Sequence, residues 1–184
     1  MKLIDLSVAI EHNAPHEPWK PQIHQLEHDK EGLEWIYKEF GAKPQDLVWS
    51  NGLGASFEEI QLITHAGTHI DAPWHYGPVS EGRPAKTVDQ LPLEWFFSDG
   101  VILDLRHKQP GEYITIEDLT QALMKIGYRL KPFDIVMLMT GCDKKLGSTD
   151  YFRHPGMSRE STLWLVEQGI MDPRNWTTRR EILK

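Results

Sequence analysis

Cysteine is almost missing from this sequence: Cys142 stands alone among 184 residues. That excludes an intrachain disulfide and any cysteine-rich zinc site. Basic residues are outnumbered, 20 Lys and Arg against 27 Asp and Glu, and they form no run. A formal charge of −7 argues against a nucleic-acid partner. Long apolar stretches are lacking too. The opening "MKLIDLSVAIEHN" turns polar after about ten residues, too soon for a secretory signal or a membrane span. A cytoplasmic protein without a membrane partner is therefore expected. There is no internal repeat and no low-complexity tract. What is present is ordinary globular composition, 40% hydrophobic and 26% charged, at a length that suggests one domain over residues 1–184.

The chain alternates strand-like and helix-like segments. "KLIDLSVAI" is rich in β-formers and predicts a strand, whereas "HNAPHEPWKP", with its three prolines, predicts a surface loop. "GLEWIYKEFG" is compatible with a short helix or with an excursion between strands. In "SFEEIQLITH" the apolar Phe57, Ile60 and Leu62 alternate with polar neighbours and predict a strand. "PLEWFF" predicts a helical turn, "GVILDLRH" a buried strand and "FDIVMLMTG" a fully apolar strand. The clearest helix is "TIEDLTQALMKIGY". Thr115 is its expected N-cap with Asp118 three residues on, Leu119, Leu123 and Ile126 form the apolar stripe, and Gly127 ends it. "SRESTLWLVEQG" predicts a second capped helix from near Ser158. Strands followed by helices that close on glycine indicate a mixed α/β domain.

The densest chemistry lies in "LITHAGTHIDAPWHYG", where His65, His69, Asp71 and His75 share one parity. On a straight strand His65 and His69 would stand about 13 Å apart. Ligands of one zinc ion must each come within about 2.0–2.2 Å of it. A straight strand cannot achieve that. Gly67 allows the backbone to bulge between the two histidines, and Pro73 redirects it after Asp71. A His-x-x-x-His-x-Asp run on a bent strand can then converge on one cation. Two imidazoles and a carboxylate suit zinc or manganese, with a coordination position left for water. Thr64 and Thr68 are short hydroxyls placed to support those ligands.

The other histidines read differently. His12, His16, His24 and His28 occupy polar, proline-rich or charged context and are expected to be solvated, although a loop so rich in His and Trp could also line a pocket. His107 is expected at a strand end on the surface, and His154 in a structural role before a helix. Trp19 and Trp74 could present flat apolar surface to an aromatic substrate or simply pack.

"HAGTHIDAPWH" resembles the signature of the cyclase-like metal-dependent hydrolases, which include bacterial arylformamidases (kynurenine formamidases) and isatin hydrolases. Every signature position matches. The resemblance runs over roughly residues 3–170, through "LKPFDIVMLMTGCDKKLGS" and "HPGMSRESTLWLVEQGI". It implies a compact single α/β domain with a swivelling β/β/α arrangement and a mixed sheet, assembled as a homodimer or homotetramer. It implies hydrolysis of an amide or lactam C–N bond in a small molecule, with one or two divalent cations, zinc or manganese. Residue by residue, it implies that His65, His69 and Asp71 are metal ligands, that Asp71 also bridges to a second ion, and that His75 is the general acid/base.

This sequence departs from that pattern near its end. The family places a further His and Glu after the equivalent of "LWLVEQGI"; here "MDPRNWTTRREILK" stands instead, and no histidine follows His154. The C-terminal family segment is thus expected to be missing or altered after about residue 170, with a weakened, single or empty metal site. The tail could pack on another subunit. The alternative reading is a degenerate family member acting as a non-catalytic binding or assembly subunit.

Overall fold

Thr115 and Gly127 bracket the strongest helical period of the sequence, and in the computed structural model of the chain a helix fills the interval between them. The structure describes residues 2–49, 52–80 and 82–170. They fall into two compact units divided between His69 and Ile70. The architecture is mixed α/β.

In the first unit, strand β1 (Gln22–Leu26) pairs antiparallel with β2 (Phe57–Gln61), Gln22 opposite Gln61 and Leu26 opposite Phe57. Between them lies helix α1 (Glu31–Phe40), so "GLEWIYKEFG" resolves as a helix, closed by Gly41 in the left-handed region. Its placement needs glycine at one contact. A Cβ on Gly32 would stand 1.8 Å from the Ala55 carbonyl oxygen, so helix and chain approach backbone to backbone. Trp35 then packs edge-on against both Phe40 and Phe57, with ring centroids 5.0 and 4.9 Å apart.

One expectation for this unit is corrected. Residues 2–10, expected to be a strand, form no ladder. A strand is stabilised by a neighbour's peptide groups and a buried face. Here Leu3, Ile4 and Leu6 are largely exposed, and the Val8 amide is bound by a side-chain hydroxyl, that of Thr68. The strand β1, by contrast, is polar enough ("QIHQL") to carry no clear apolar alternation, and pairing with β2 creates it. In β2 itself Ile60 is exposed, so the alternation there does not mark a buried face.

The second unit begins with helix α2 (Pro73–Tyr76) and the short antiparallel pair β3 (Val79–Ser80) and β4 (Arg83–Pro84). "PLEWFF" contains the expected helical turn, over Leu93–Phe96. Strand β5 (Gly100–Asp104) pairs parallel with β7 (Ile135–Met139), and β6 (Tyr113–Ile114) pairs parallel with β8 (Gly156–Met157). Parallel and antiparallel pairing are thus both present, distributed among two-stranded ladders. Helix α3 (Ile116–Ile126) lies in the crossover between β5 and β7, as parallel strands require. Its cap is reciprocal: Thr115 accepts from the Asp118 amide, and Asp118 accepts from the Thr115 amide. Helix α4 (Arg159–Glu167) starts after its cap Ser158, as expected.

Val101, Leu103, Leu105, Ile114, Leu119 and Leu123 form the core of this unit, with Leu103, Leu105 and Leu119 fully buried. Each such leucine contributes about 1.5–3 kcal/mol relative to an exposed one. Ile126, assigned to the same stripe by its spacing, is instead 50% exposed, because it lies in the last turn beyond the core. The strand β5 is buried on one face only: Val101 and Leu103 point inward and Ile102 outward. Likewise Ile135 and Met139 leave the ends of β7 partly exposed. No described helix is long and apolar enough to cross a membrane.

Candidate metal centre

After β2 ends at Gln61 the chain leaves its ladder, and residues 62–72 contain turns and bends but no strand. The bend is made at Gly67, whose φ of 62° lies in the left-handed region that side chains with a Cβ avoid. The Ala66 amide closes a turn onto the Ile63 carbonyl, and Ala66 is buried. The Gly67 amide donates to Glu17 Oε1 at 2.8 Å. Next along the chain, Thr68 Oγ1 accepts from the Val8 amide at 3.0 Å. The segment is therefore tied down by polar contacts from two places far away in sequence.

This bend brings the histidines together. His65 Nδ1 and His69 Nε2 are 3.3 Å apart, and the rings meet edge to face with centroids 5.1 Å apart. His69 Nδ1 is 2.8 Å from the Gly67 carbonyl oxygen. That oxygen can only accept, so Nδ1 carries a proton, and in the neutral ring Nε2 then keeps its lone pair. Two residues later Asp71 joins: ligand atoms of His65, His69 and Asp71 all lie within 4.8 Å of one another. His65 and Asp71 are half-buried and His69 is exposed. The Tyr76 hydroxyl donates to Asp71 Oδ2 at 3.1 Å.

Pro73 is buried at the first position of α2, where its fixed φ and missing N–H suit a helix start. It turns the chain directly after Asp71. His75 sits on this helix, exposed, with its ring edge-on to that of Tyr76 at 5.0 Å. It lies outside the converging group of three. Trp74, beside it, is 55% exposed, and Trp19 is also exposed.

The donor set is compatible with a divalent cation. Atoms bound at about 2.0–2.1 Å to a tetrahedral ion stand about 3.4 Å from each other. The 3.3 Å between His65 Nδ1 and His69 Nε2 is of that size. Two imidazoles and one carboxylate are ligands that both zinc and manganese accept.

The remaining histidines hold the fold or face solvent. His28 Nδ1 donates to the Gly54 carbonyl, His154 Nδ1 lies 3.0 Å from the Pro155 carbonyl, and His107 meets Asp118. His12 Nδ1 accepts from the Ile23 amide. The expectation that His16 is solvated is overturned: it is only 6% exposed. Prolines on both sides fold this loop back on itself, so that Ala14 and Pro21 are buried with it. Two polar partners of the site escaped the sequence reading. Tyr76 follows His75 directly and reaches back to Asp71, a contact that depends on the turn at Pro73. Glu17 acts across fifty positions, a separation at which local pattern carries no signal.

The chain is similar to several known proteins. The Cyclase family model, described as "Putative cyclase", matches residues 4–172. Among solved structures, an isatin hydrolase bound to the product analogue thioisatinate superposes with a TM-score of 0.68 at 18% identity, over 90% of this chain and 63% of its own. Isatin hydrolase A from Ralstonia solanacearum gives 0.66 at 19% identity, over 90% and 63%. A novel cyclase gives 0.62 at 22% identity, over 89% and 62%. These likenesses establish a shared fold. The chain spans less than two thirds of the length of each. No curated protein sequence matches it.

Proposed function

The chain belongs to the Cyclase family, and from that premise we propose that it is a metal-dependent hydrolase of an amide or lactam C–N bond in a small molecule. One observation carries the reading: the ligand atoms of His65, His69 and Asp71 converge within 4.8 Å, on a bend made at the left-handed Gly67.

In this proposal His65, His69 and Asp71 hold a divalent cation, zinc or manganese. Such an ion, when bound, supplies Lewis acidity and makes hydroxide available near neutral pH. The chain's own groups supply the rest. The proton on His69 Nδ1 is committed to the Gly67 carbonyl, which orients the ring and leaves Nε2 as the donor atom. The Tyr76 hydroxyl holds one oxygen of Asp71, limiting the rotation of that carboxylate. His75 takes a proton from the attacking water and delivers it to the leaving nitrogen. Imidazole exchanges protons near neutral pH, and an amide nitrogen departs readily only once protonated. The exposed indole of Trp74 offers an apolar face to an aromatic substrate.

The test is metal analysis of the purified protein, joined to hydrolysis assays on N-formyl aromatic amines and on lactams with added Zn²⁺ or Mn²⁺. We expect near-stoichiometric metal and metal-stimulated turnover. His75→Ala should retain the metal and lose at least about 100-fold in kcat, in line with general acid–base contributions. A protein that binds no metal and shows no metal-stimulated turnover would be a non-catalytic binding or assembly subunit, and the hydrolase reading would be abandoned.

A further inference from the structure

We propose that Glu17 is a positioning residue for the histidine pair: its carboxylate locks the Gly67 turn, and that turn selects the His69 tautomer that leaves Nε2 free of a proton. The inference rests on the metal-dependent reading above.

The path is short and each link is a hydrogen bond. Glu17 Oε1 accepts from the Gly67 amide at 2.8 Å in a partly buried setting. The carbonyl of the same glycine accepts from His69 Nδ1 at 2.8 Å. His69 Nε2 then lies 3.3 Å from His65 Nδ1. The side chain of Glu17 is long enough to bring an acceptor oxygen to this amide, and so suits a hold on an otherwise irregular backbone. No ladder serves this amide, because residues 62–72 form no strand. Much of its immediate surroundings is apolar. A Cβ added to Gly67 would meet Ile10 Cγ1 at 3.3 Å and Val8 Cγ2 at 3.8 Å, so apolar side chains wall one side of the glycine. A partly buried N–H without an acceptor is costly, and Glu17 supplies the acceptor.

Glu17 is itself held. Its amide donates to the Ala14 carbonyl at 3.2 Å, in the loop where Ala14 and His16 are buried. The proline-rich loop thus has an assigned task in the site through this one carboxylate. Glu17 does not belong to the group of converging ligand atoms, and its action runs through Gly67.

Two measurements test it on the full chain. The first is ¹⁵N NMR of the imidazole nitrogens in metal-free protein, with His69 assigned by comparison with His69→Gln. Wild type should show His69 protonated at Nδ1. Glu17→Ala should lose that preference. Glu17→Gln, whose amide oxygen still accepts, should keep it. Glu17→Asp, which retains the charge but draws the oxygens back by one methylene, should behave like alanine. The second is Co²⁺ affinity read from its visible spectrum. Glu17→Ala and Glu17→Asp should bind about 10–100-fold more weakly, the usual cost of losing a partner that orients a ligand, and Glu17→Gln should stay near wild type. An alanine variant with an unchanged His69 tautomer and unchanged affinity overturns the role of Glu17. Wild-type His69 protonated at Nε2 overturns it too, whether or not any variant folds. Wild type that binds no cobalt while the tautomer pattern holds overturns the metal reading instead, so the two failures are distinguishable.

Discussion

The described residues on the two sides of the His69–Ile70 division are held by different kinds of force. Beyond it, Val101, Leu103, Leu105, Ile114, Leu119 and Leu123 make one apolar cluster between parallel strands and their crossover helix. Before it, the buried apolar residues are small or scattered, as Ala14, Leu26 and Ala66 show, while Leu3, Ile4 and Leu6 remain exposed. The segment that carries His65 and His69 is held by hydrogen bonds from Glu17 and Val8 rather than by a core. Dispersion and apolar burial tolerate small shifts in direction. Hydrogen bonds to single amides do not, and metal ligation needs that directionality. The difference teaches that the apolar core and the candidate metal run are held by separate means.

The largest way to break this comparison is at the core. Leu119→Ala should lower unfolding stability by about 2–5 kcal/mol, the usual cost of emptying a fully buried leucine site, as read by urea denaturation. Metal affinity per folded molecule should stay at the wild-type value. A variant that loses both together would show that the site depends on the core after all.

A smaller effect is expected from the reverse experiment. Gly67→Ala should cost about 1–2 kcal/mol of left-handed backbone strain, with the new Cβ pressed against Ile10. Cobalt binding should weaken more than thermal stability does. Unchanged metal affinity would mean that the bend tolerates a side chain and does not position the histidines.

The mildest test sharpens the electrostatic side of the second unit. Burial alone would raise the pKa of Asp134, but hydrogen bonds from the Lys131 amide, the Lys131 ammonium and the Tyr128 hydroxyl outweigh it and hold the carboxyl below its ordinary range. Asp118 is likewise depressed: burial opposes ionisation, and bonds from Thr115, Lys108 and His107 more than reverse it. A folded-state pKa below the unfolded one contributes stability that is present above about pH 4 and is lost as pH falls toward the folded value. Denaturation midpoints followed from pH 6 down to pH 2 should therefore drop below about pH 4. Asp134→Asn should show a shallower drop, and an equal slope in the variant would remove Asp134 from this account.

Local signals were sufficient for several elements. Thr115, Asp118 and Gly127 mark both ends of α3 because caps act within one turn of the helix. Ser158 marks α4 for the same reason. The stretch from His65 to Asp71 could be read as a bent, metal-competent run, since Gly67 lies within it and its spacing is incompatible with a straight strand. The failures were equally physical. Residues 2–10 have β-forming side chains but no ladder. Polar "QIHQL" becomes a strand through its partner. Ile126 has the right period and lies past the end of the core.

Composition, caps and the spacing of imidazole and carboxylate groups were enough, read along the chain, to identify a mixed α/β protein carrying a candidate metal run. Each of those properties depends on neighbours a few residues away. Which strand finds a partner, why His16 is buried, and which carboxylate holds Gly67 were settled only by folding. Those outcomes join residues up to fifty positions apart, and such contacts exist only once the rest of the chain has brought the partners within hydrogen-bonding distance.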